Sequence, residues 1–264
     1  MANDPVIEPD AMPRLGRFRL LEATAIDAGR RADIARVPIE VWEAAAKSGE
    51  TSFENIGYWE RAIAALGVDG SVPAVIFDDG RMTEAARVWF ILQYFGAEAF
   101  ILNGGWPAIQ NRKDLRGLVP KTDPPMIFRT RPGTGPVGLV DRQTLKAELD
   151  ADVRIFDART AGEFAGEDFR RNSRGGHLPG ARLLPHASLL DGDRLRPIEE
   201  LQQLLTSAGF QSGDRLVTHC DGGGRAALAA AAALRAGYRD VRAYYLSFAD
   251  WARDESCAVV RDTE

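Results

Sequence analysis

The stretch Val217-Thr218-His219-Cys220-Asp221-Gly222-Gly223-Gly224-Arg225, running on into Ala226-Ala227-Leu228-Ala229-Ala230-Ala231-Ala232-Ala233-Leu234-Arg235-Ala236-Gly237, decides the fold. Arg215-Leu216-Val217-Thr218 reads as a short buried strand, and the alanine-rich run reads as a helix closed by Gly237 as its C′ residue. Cys220 therefore stands where a strand turns into a helix. Three consecutive glycines let the backbone curl so that successive N–H groups converge on one point, to which the helix N-terminus adds its positive end. Such a loop is an anion cradle, and a thiol held in it, with Arg225 at its end, is favoured in its nucleophilic thiolate form. A cysteine at a strand end is most often a small buried hydrophobe. Gly222, Gly223 and Gly224 argue otherwise, because they cost backbone entropy, pack nothing and serve no structural cysteine. Asp221 opposes the thiolate unless it points outward, which is the orientation expected for it.

Cys220 to Arg225 resembles the active-site loop of rhodanese-type sulfurtransferases, in which the cysteine takes up a sulfane sulfur as a persulfide. Val153-Arg154-Ile155-Phe156-Asp157-Ala158-Arg159, Glu163-Phe164-Ala165-Gly166 and Gly175-Gly176-His177-Leu178-Pro179-Gly180-Ala181 are similar to that family's first strand, its following helix and its His-hydrophobic-Pro-Gly-Ala signature, in the same order. Tyr245-Leu246-Ser247-Phe248-Ala249-Asp250-Trp251 looks like the family's Gly-Ser-Trp-x-x-Trp turn. The resemblance implies an α/β chain of two rhodanese-like domains, each a mainly parallel sheet flanked by helices on both faces. It also implies an inert N-terminal copy that helps wall the site of an active C-terminal one.

The residues outside the loop agree with two domains. A chain of 264 residues, 45% hydrophobic, can bury two ordinary cores. Pro73-Ala74-Val75-Ile76-Phe77 and Ala99-Phe100-Ile101-Leu102 read as buried strands, Arg17 to Ala23 as another, and Ser52–Leu66 and Thr83–Phe95 as helices ending at Gly67 and Gly96. Strands alternating with helices at these lengths imply a parallel sheet covered on both faces. Gly67 and Gly209 lie 142 residues apart, as do Asp78 and Cys220, while Gly96 and Gly237 lie 141 apart, so the chain reads as one domain written twice. Asn103-Gly104-Gly105-Trp106 parallels the turn at Ser247-Phe248. Pro120, Pro124, Pro125, Pro132 and Pro136, with interspersed glycines, mark a linker. The expected organisation is 1–119 inert domain, 120–138 linker and 139–264 catalytic domain, with a loosely held polar lead at the N-terminus. The first copy carries Asp78 in place of the thiol, and Asp33-Ile34-Ala35-Arg36-Val37-Pro38 in place of the histidine signature.

Composition narrows the partners. The 33 basic and 38 acidic residues leave a net charge of −5 and no basic tract, which argues against nucleic acid. Met1-Ala2-Asn3-Asp4-Pro5 lacks the features of a signal peptide, no apolar run approaches membrane-spanning length, and Cys220 and Cys257 make no disulfide framework, so a cytoplasmic location is expected. The chemistry these residues allow is attack of the Cys220 thiolate on a small anionic sulfur donor, followed by transfer of the sulfur to a thiol or cyanide, with no metal or organic cofactor. The amides of Asp221, Gly222, Gly223, Gly224 and Arg225 would steady the persulfide and the departing anion.

Side-chain cations for the donor are sought in Phe169-Arg170-Arg171-Asn172-Ser173-Arg174. The tandem enzymes place a substrate-binding arginine where Arg170 stands, which makes it the first choice and Arg174 the second, although arginine clusters are commonly solvated loop charges. Ser247 matches the family serine near the sulfur. His177, His186 and His219 have no zinc-site spacing with the cysteines; His177 is expected to order its turn, and the strand position of His219 turns it to the opposite sheet face. Cys257 reads as a partly buried filler. Thiosulfate is favoured over 3-mercaptopyruvate because a fully anionic donor gains most from the cradle and Arg225. A phosphatase or arsenate reductase would carry its arginine six positions after the thiol, where this chain has Ala226. A non-enzymatic sulfur carrier is the other alternative.

Overall fold

The computed structural model describes residues 4–24, 34–112, 126–149 and 151–261. The chain divides into two units, Pro5–Gly135 and Pro136–Glu264, with Asp4 grouped with the second.

In the first unit the elements run β1 (Val6–Ile7), β2 (Arg19–Glu22), β3 (Ala35–Arg36), α1 (Ile39–Lys47), α2 (Ile56–Ala64), β4 (Ala74–Phe77), α3 (Thr83–Tyr94) and β5 (Ala99–Leu102). Its five strands are all parallel, in the order β1-β5-β4-β2-β3. Every residue of β4 is buried, as a continuous apolar run in a central parallel strand requires. α3 is buried from Ala85 to Gln93, and Trp42, Trp59, Phe90 and Phe95 are enclosed as well.

The second unit repeats this plan with β6 (Gly138–Leu139), α4 (Arg142–Glu148), β7 (Val153–Asp157), α5 (Ala161–Ala165), β8 (Ala181–Leu183), a small antiparallel pair β9 (Leu190–Asp191) and β10 (Arg194–Leu195), α6 (Ile198–Ser207), β11 (Arg215–His219), α7 (Gly224–Arg235), β12 (Val241–Ala243) and α8 (Ser247–Trp251). Its sheet order, β6-β12-β11-β7-β8, is strand for strand that of the first unit, again all parallel. α7 is buried over Ala226–Leu234, and its alanines let it lie close to β11 and β12. The helix-ending glycines read from the sequence share one geometry: Gly67, Gly96, Gly209 and Gly237 all have positive φ, and each N–H donates to the carbonyl three residues back. The two turns paralleled in the sequence also match, since the Trp106 N–H donates to the Asp78 carbonyl at 2.8 Å as the Phe248 N–H does to that of Cys220 at 2.9 Å.

Two expectations change. The N-terminal lead forms the edge strand β1, in which Val6 and Ile7 pair with Ile101 and Leu102; Met1-Ala2-Asn3 lie outside the described residues. Of the presumed linker 120–138, residues 120–125 lie outside the described residues, and residues 126–135 are built into the first unit. There Phe128 is buried, and the Arg131 and Gly133 N–H groups donate to the carbonyls of Phe95 and Tyr94. Gly138–Leu139 is strand β6, so the second unit begins at Pro136. Proline and glycine preclude long elements there, but not backbone hydrogen bonds to a neighbouring helix end. Asp33 also lies outside the described residues, while Ala35–Arg36 forms β3, the counterpart of β8.

Candidate active site

β11 is the central strand of the second sheet, and Cys220 follows its last residue, outside the carboxyl end of the sheet where parallel α/β folds bind ligands. The residue is almost wholly buried. Gly223 donates its N–H to the Cys220 Sγ at 3.1 Å, with φ 100 at Gly223. A Cβ at that position would stand 2.9 Å from the Tyr245 carbonyl oxygen and 3.0 Å from its ring, so the turn demands glycine on both backbone and steric grounds. The Cys220 N–H donates to the Ser247 Oγ at 3.1 Å, and the Cys220 and Asp221 carbonyls accept from the Phe248 and Ala249 N–H groups. The first turn of α8 thus clamps the loop.

Ser247 stands 3.8 Å from Sγ through Oγ, but its single hydroxyl proton lies against the Tyr244 carbonyl at 2.8 Å. The shorter contact to the better acceptor takes the proton, so Ser247 fixes the main chain of Cys220 rather than its sulfur. It does so from a left-handed φ of 62, one of three such non-glycine residues among those described.

Arg225, expected to meet the substrate directly, instead forms two hydrogen bonds with Glu163, at 2.6 and 2.8 Å. Glu163 was not recognised as a site residue from the sequence. It also accepts from the Thr160 N–H at 2.9 Å while Thr160 Oγ1 accepts from the Glu163 N–H, a capping box that Thr160-Ala161-Gly162-Glu163 spells out. Burial pushes the Glu163 carboxyl up, but Arg225 and Thr160 outweigh it and hold it down at about 2. Arg225 is correspondingly raised despite its own burial. With its charge matched by Glu163, Arg225 no longer supplies the argument for thiosulfate over 3-mercaptopyruvate.

Arg170 reaches the same carboxylate, its Nε 3.5 Å from Glu163 Oε1, and remains about half exposed with φ 52. Arg174 does not join it. Its guanidinium donates to the carbonyls of Trp251, Ala252, Asp254 and Cys257 at 2.6–3.1 Å, tying the C-terminal segment to the loop before His177. The expectation of a second substrate arginine is thereby corrected, because its donors are engaged by main chain. Asn172, between the two, donates its amide N–H to Asp221 Oδ1 at 2.7 Å, leaving Asp221 half-buried at the start of the loop.

Behind the loop lies a buried network that the sequence did not reveal. The Arg159 side chain makes three hydrogen bonds to the Asp157 carboxylate at 2.6–3.0 Å, donates to the Gly176 carbonyl and covers the Phe248 ring at 4.0 Å. His219 has Nε2 3.3 Å from Asp157 Oδ2 and Nδ1 3.3 Å from the Cys220 carbonyl oxygen. Burial depresses the His219 imidazole to about 4, and Asp157, already neutralised by Arg159, does not reverse it. His186 is also lowered by burial and by Arg225. His177 stacks on Phe164 at 3.7 Å and shares its Nδ1 proton with the Phe164 carbonyl at 3.1 Å, so it orders the signature turn. Cys257 is fully buried with Val140, Leu178 and Trp251, and burial raises its thiol.

Residues 141–254 match the description of the rhodanese-like domain family. The chain is 28% identical over 214 residues to the Arabidopsis thaliana mitochondrial thiosulfate/3-mercaptopyruvate sulfurtransferase 1, covering 72% of this chain and 56% of that relative's length. It is 28% identical over 195 residues to the 3-mercaptopyruvate sulfurtransferase of Escherichia coli K12, covering 72% and 68%. The solved structure of SseA from Escherichia coli, described as a "rhodanese" fold, superimposes with a TM-score of 0.72 at 22% identity, covering 93% of this chain and 99% of that one. Repeated sheet, cysteine loop and family match lead to one conclusion: residues 141–254 form a rhodanese-like domain, and the sheet of the first unit repeats its strand order.

Proposed function

We propose that the chain is a sulfurtransferase in which the Cys220 thiolate attacks the transferable sulfur of a small anion, thiosulfate or 3-mercaptopyruvate. Sulfite or pyruvate leaves, and the sulfur remains on Cys220 as a persulfide until a thiol or cyanide removes it, in ping-pong order. The observation that carries this reading is the Gly223 N–H directed at Sγ at 3.1 Å from a strand-to-helix loop clamped by α8. That donor holds in place the sulfur that makes the attack and then carries the transferred atom. Asp221, Gly222, Gly224 and the Glu163-bound Arg225 complete the loop, and Arg170 receives the anionic end of the donor from its half-exposed position. Relatives named for both donors agree with this chemistry. Among the described residues no helix is long and apolar enough to cross a membrane. A cytoplasmic setting suits a mechanism that needs Cys220 reduced.

The test is intact mass after incubation with each donor separately. The expected result is a gain of one sulfur on Cys220, absent from Cys220→Ser, and a raised donor KM in Arg170→Ala. Persulfide formation without multiple turnover on either donor would instead support a sulfur-carrier module. Hydrolysis of p-nitrophenyl phosphate that disappears in Cys220→Ser would support a phosphatase.

A further inference from the structure

The charges around Cys220 are unevenly matched. Glu163 takes Arg225 by two hydrogen bonds and has Arg170 at 3.5 Å, so two guanidinium groups converge on one buried carboxylate. Arg174 is engaged by four carbonyls of the C-terminal segment. The remaining charge on the loop is Asp221, the residue directly after the nucleophile. Among the described residues no cation stands within ion-pair distance of it, although its charge is felt at the Glu163-bound Arg225, and its side-chain hydrogen bond comes from the neutral amide of Asn172, at 2.7 Å on Oδ1. A neutral donor fixes the direction of a carboxylate without cancelling its charge. Glu163, Asp221, Arg225 and Arg170 sum to zero, so loading a persulfide anion leaves the site negative, with the excess on the Asp221 side. An acceptor that arrives as a simple anion meets repulsion there, whereas one that carries a cation meets attraction.

Resting on the sulfurtransferase reading, we infer that Asp221 is a specificity-determining residue of the second half-reaction and that the acceptor is an aminothiol, a thiol bearing an ammonium group a few atoms from its sulfur. The acceptor loses its thiol proton to solvent and its thiolate attacks the outer sulfur of the Cys220 persulfide. A sulfur–sulfur bond forms to the acceptor as the Sγ–S bond breaks, and the electron pair returns to Sγ as thiolate. The acceptor leaves as a persulfide, with no net oxidation. Asp221 holds the ammonium through this exchange, its second oxygen serving the acceptor while Oδ1 stays with Asn172.

The experiment uses full-length protein loaded with sulfur and checked by intact mass, then single-turnover release to cysteamine, 2-mercaptoethanol and 3-mercaptopropionate, each rate expressed per thiolate. Asp221→Asn removes the charge and keeps an oxygen for Asn172. Wild type should favour cysteamine over 3-mercaptopropionate, and Asp221→Asn should lower that ratio about tenfold, the effect of one half-buried charge a few ångströms away. Added salt should compress the wild-type ratio, and Asn172→Leu, which frees the carboxylate to swing, should lower it about threefold. These two measurements carry the test if Asp221→Asn does not fold. Equal ratios in wild type and variant, or a wild-type ratio indifferent to salt, overturn the inference while normal loading leaves the sulfurtransferase reading standing. Failure of wild type to load sulfur from either donor overturns both.

Discussion

Glu163→Gln is the perturbation that tests the architecture of the loop most directly. The Glu163 side chain is 2% exposed and carries both Arg225 hydrogen bonds, and its carboxyl is held at about 2 against an ordinary 4.5. At about 1.4 kcal/mol per unit, that depression corresponds to about 3 kcal/mol of folding stability, in the range for removing one partner of a buried pair. The folded carboxyl ionises at lower pH than the unfolded one, so the contribution is complete above pH 4.5 and fades as the pH falls from 4.5 toward 2. Glutamine still offers an oxygen to the Thr160 N–H, which preserves the α5 cap and isolates the charge. Urea unfolding of wild type and variant from neutral pH down to pH ~3 should show the variant about 3 kcal/mol less stable at neutrality, with the gap narrowing below pH 4.5. A gap that stays constant across that range would refute the claim that the ionised Glu163–Arg225 pair holds the loop.

Three further outcomes are expected. Gly223→Ala, which forces a Cβ to 2.9 Å from the Tyr245 carbonyl oxygen at φ 100, should cost about 2 kcal/mol and abolish sulfur loading; loading at the wild-type rate would contradict the loop geometry. Arg174→Lys cannot satisfy four carbonyls, so thermal unfolding should report a loss of about 2 kcal/mol with the donor KM unchanged, whereas a raised KM with unchanged melting would return Arg174 to the substrate. Asp78→Ala strips the acceptor from four N–H groups and should destabilise the first unit by about 2 kcal/mol, while Cys220 loads as in wild type by mass; slower loading would give Asp78 a part in the chemistry.

Most of the fold could be read because it follows from local rules. β4 is an unbroken buried apolar run, β11 is buried from Leu216 to His219, α3 and α7 follow them after short loops, and the closing glycines recur 141 and 142 residues apart. β1 and β6 were missed because a two-residue edge strand has no periodicity, and its pairing is set by β5 or β12 far along the chain. At the site, the cysteine and its glycines were legible because their backbone requirement is unusual. The partners of the arginines were not, since Arg174 and Arg225 look alike in sequence and differ only in partners that stand up to 83 and 62 positions away along the chain, respectively. The Thr160–Glu163 capping box was a usable signal for Glu163: an acid fixed at a helix start beside the family signature is already oriented to receive a cation.

On the proposed sulfurtransferase reading, the first unit accounts for chemistry at only one of the two loops. Asp78 stands at the place of Cys220, and its two oxygens accept the N–H groups of Gly80, Met82, Glu84 and Ala85 at 2.9–3.2 Å. Burial pushes that carboxyl up, while the donations from Ala85, Gly80 and Met82 work against the rise. This is the same strand-to-helix cradle with its anion covalently built in, and its amides are used to hold the start of α3. A carboxylate presents two acceptor atoms to the loop, but a thiolate presents one, and the sulfur of Cys220 is reached by the Gly223 N–H. The second copy therefore has room in its hydrogen bonding for a further anionic sulfur, which the first copy has given to its own side chain. One anion-binding turn thus occurs twice, and on the proposed reading the anion it holds, a built-in carboxylate at Asp78 or a sulfur at Cys220, sets what each copy can do.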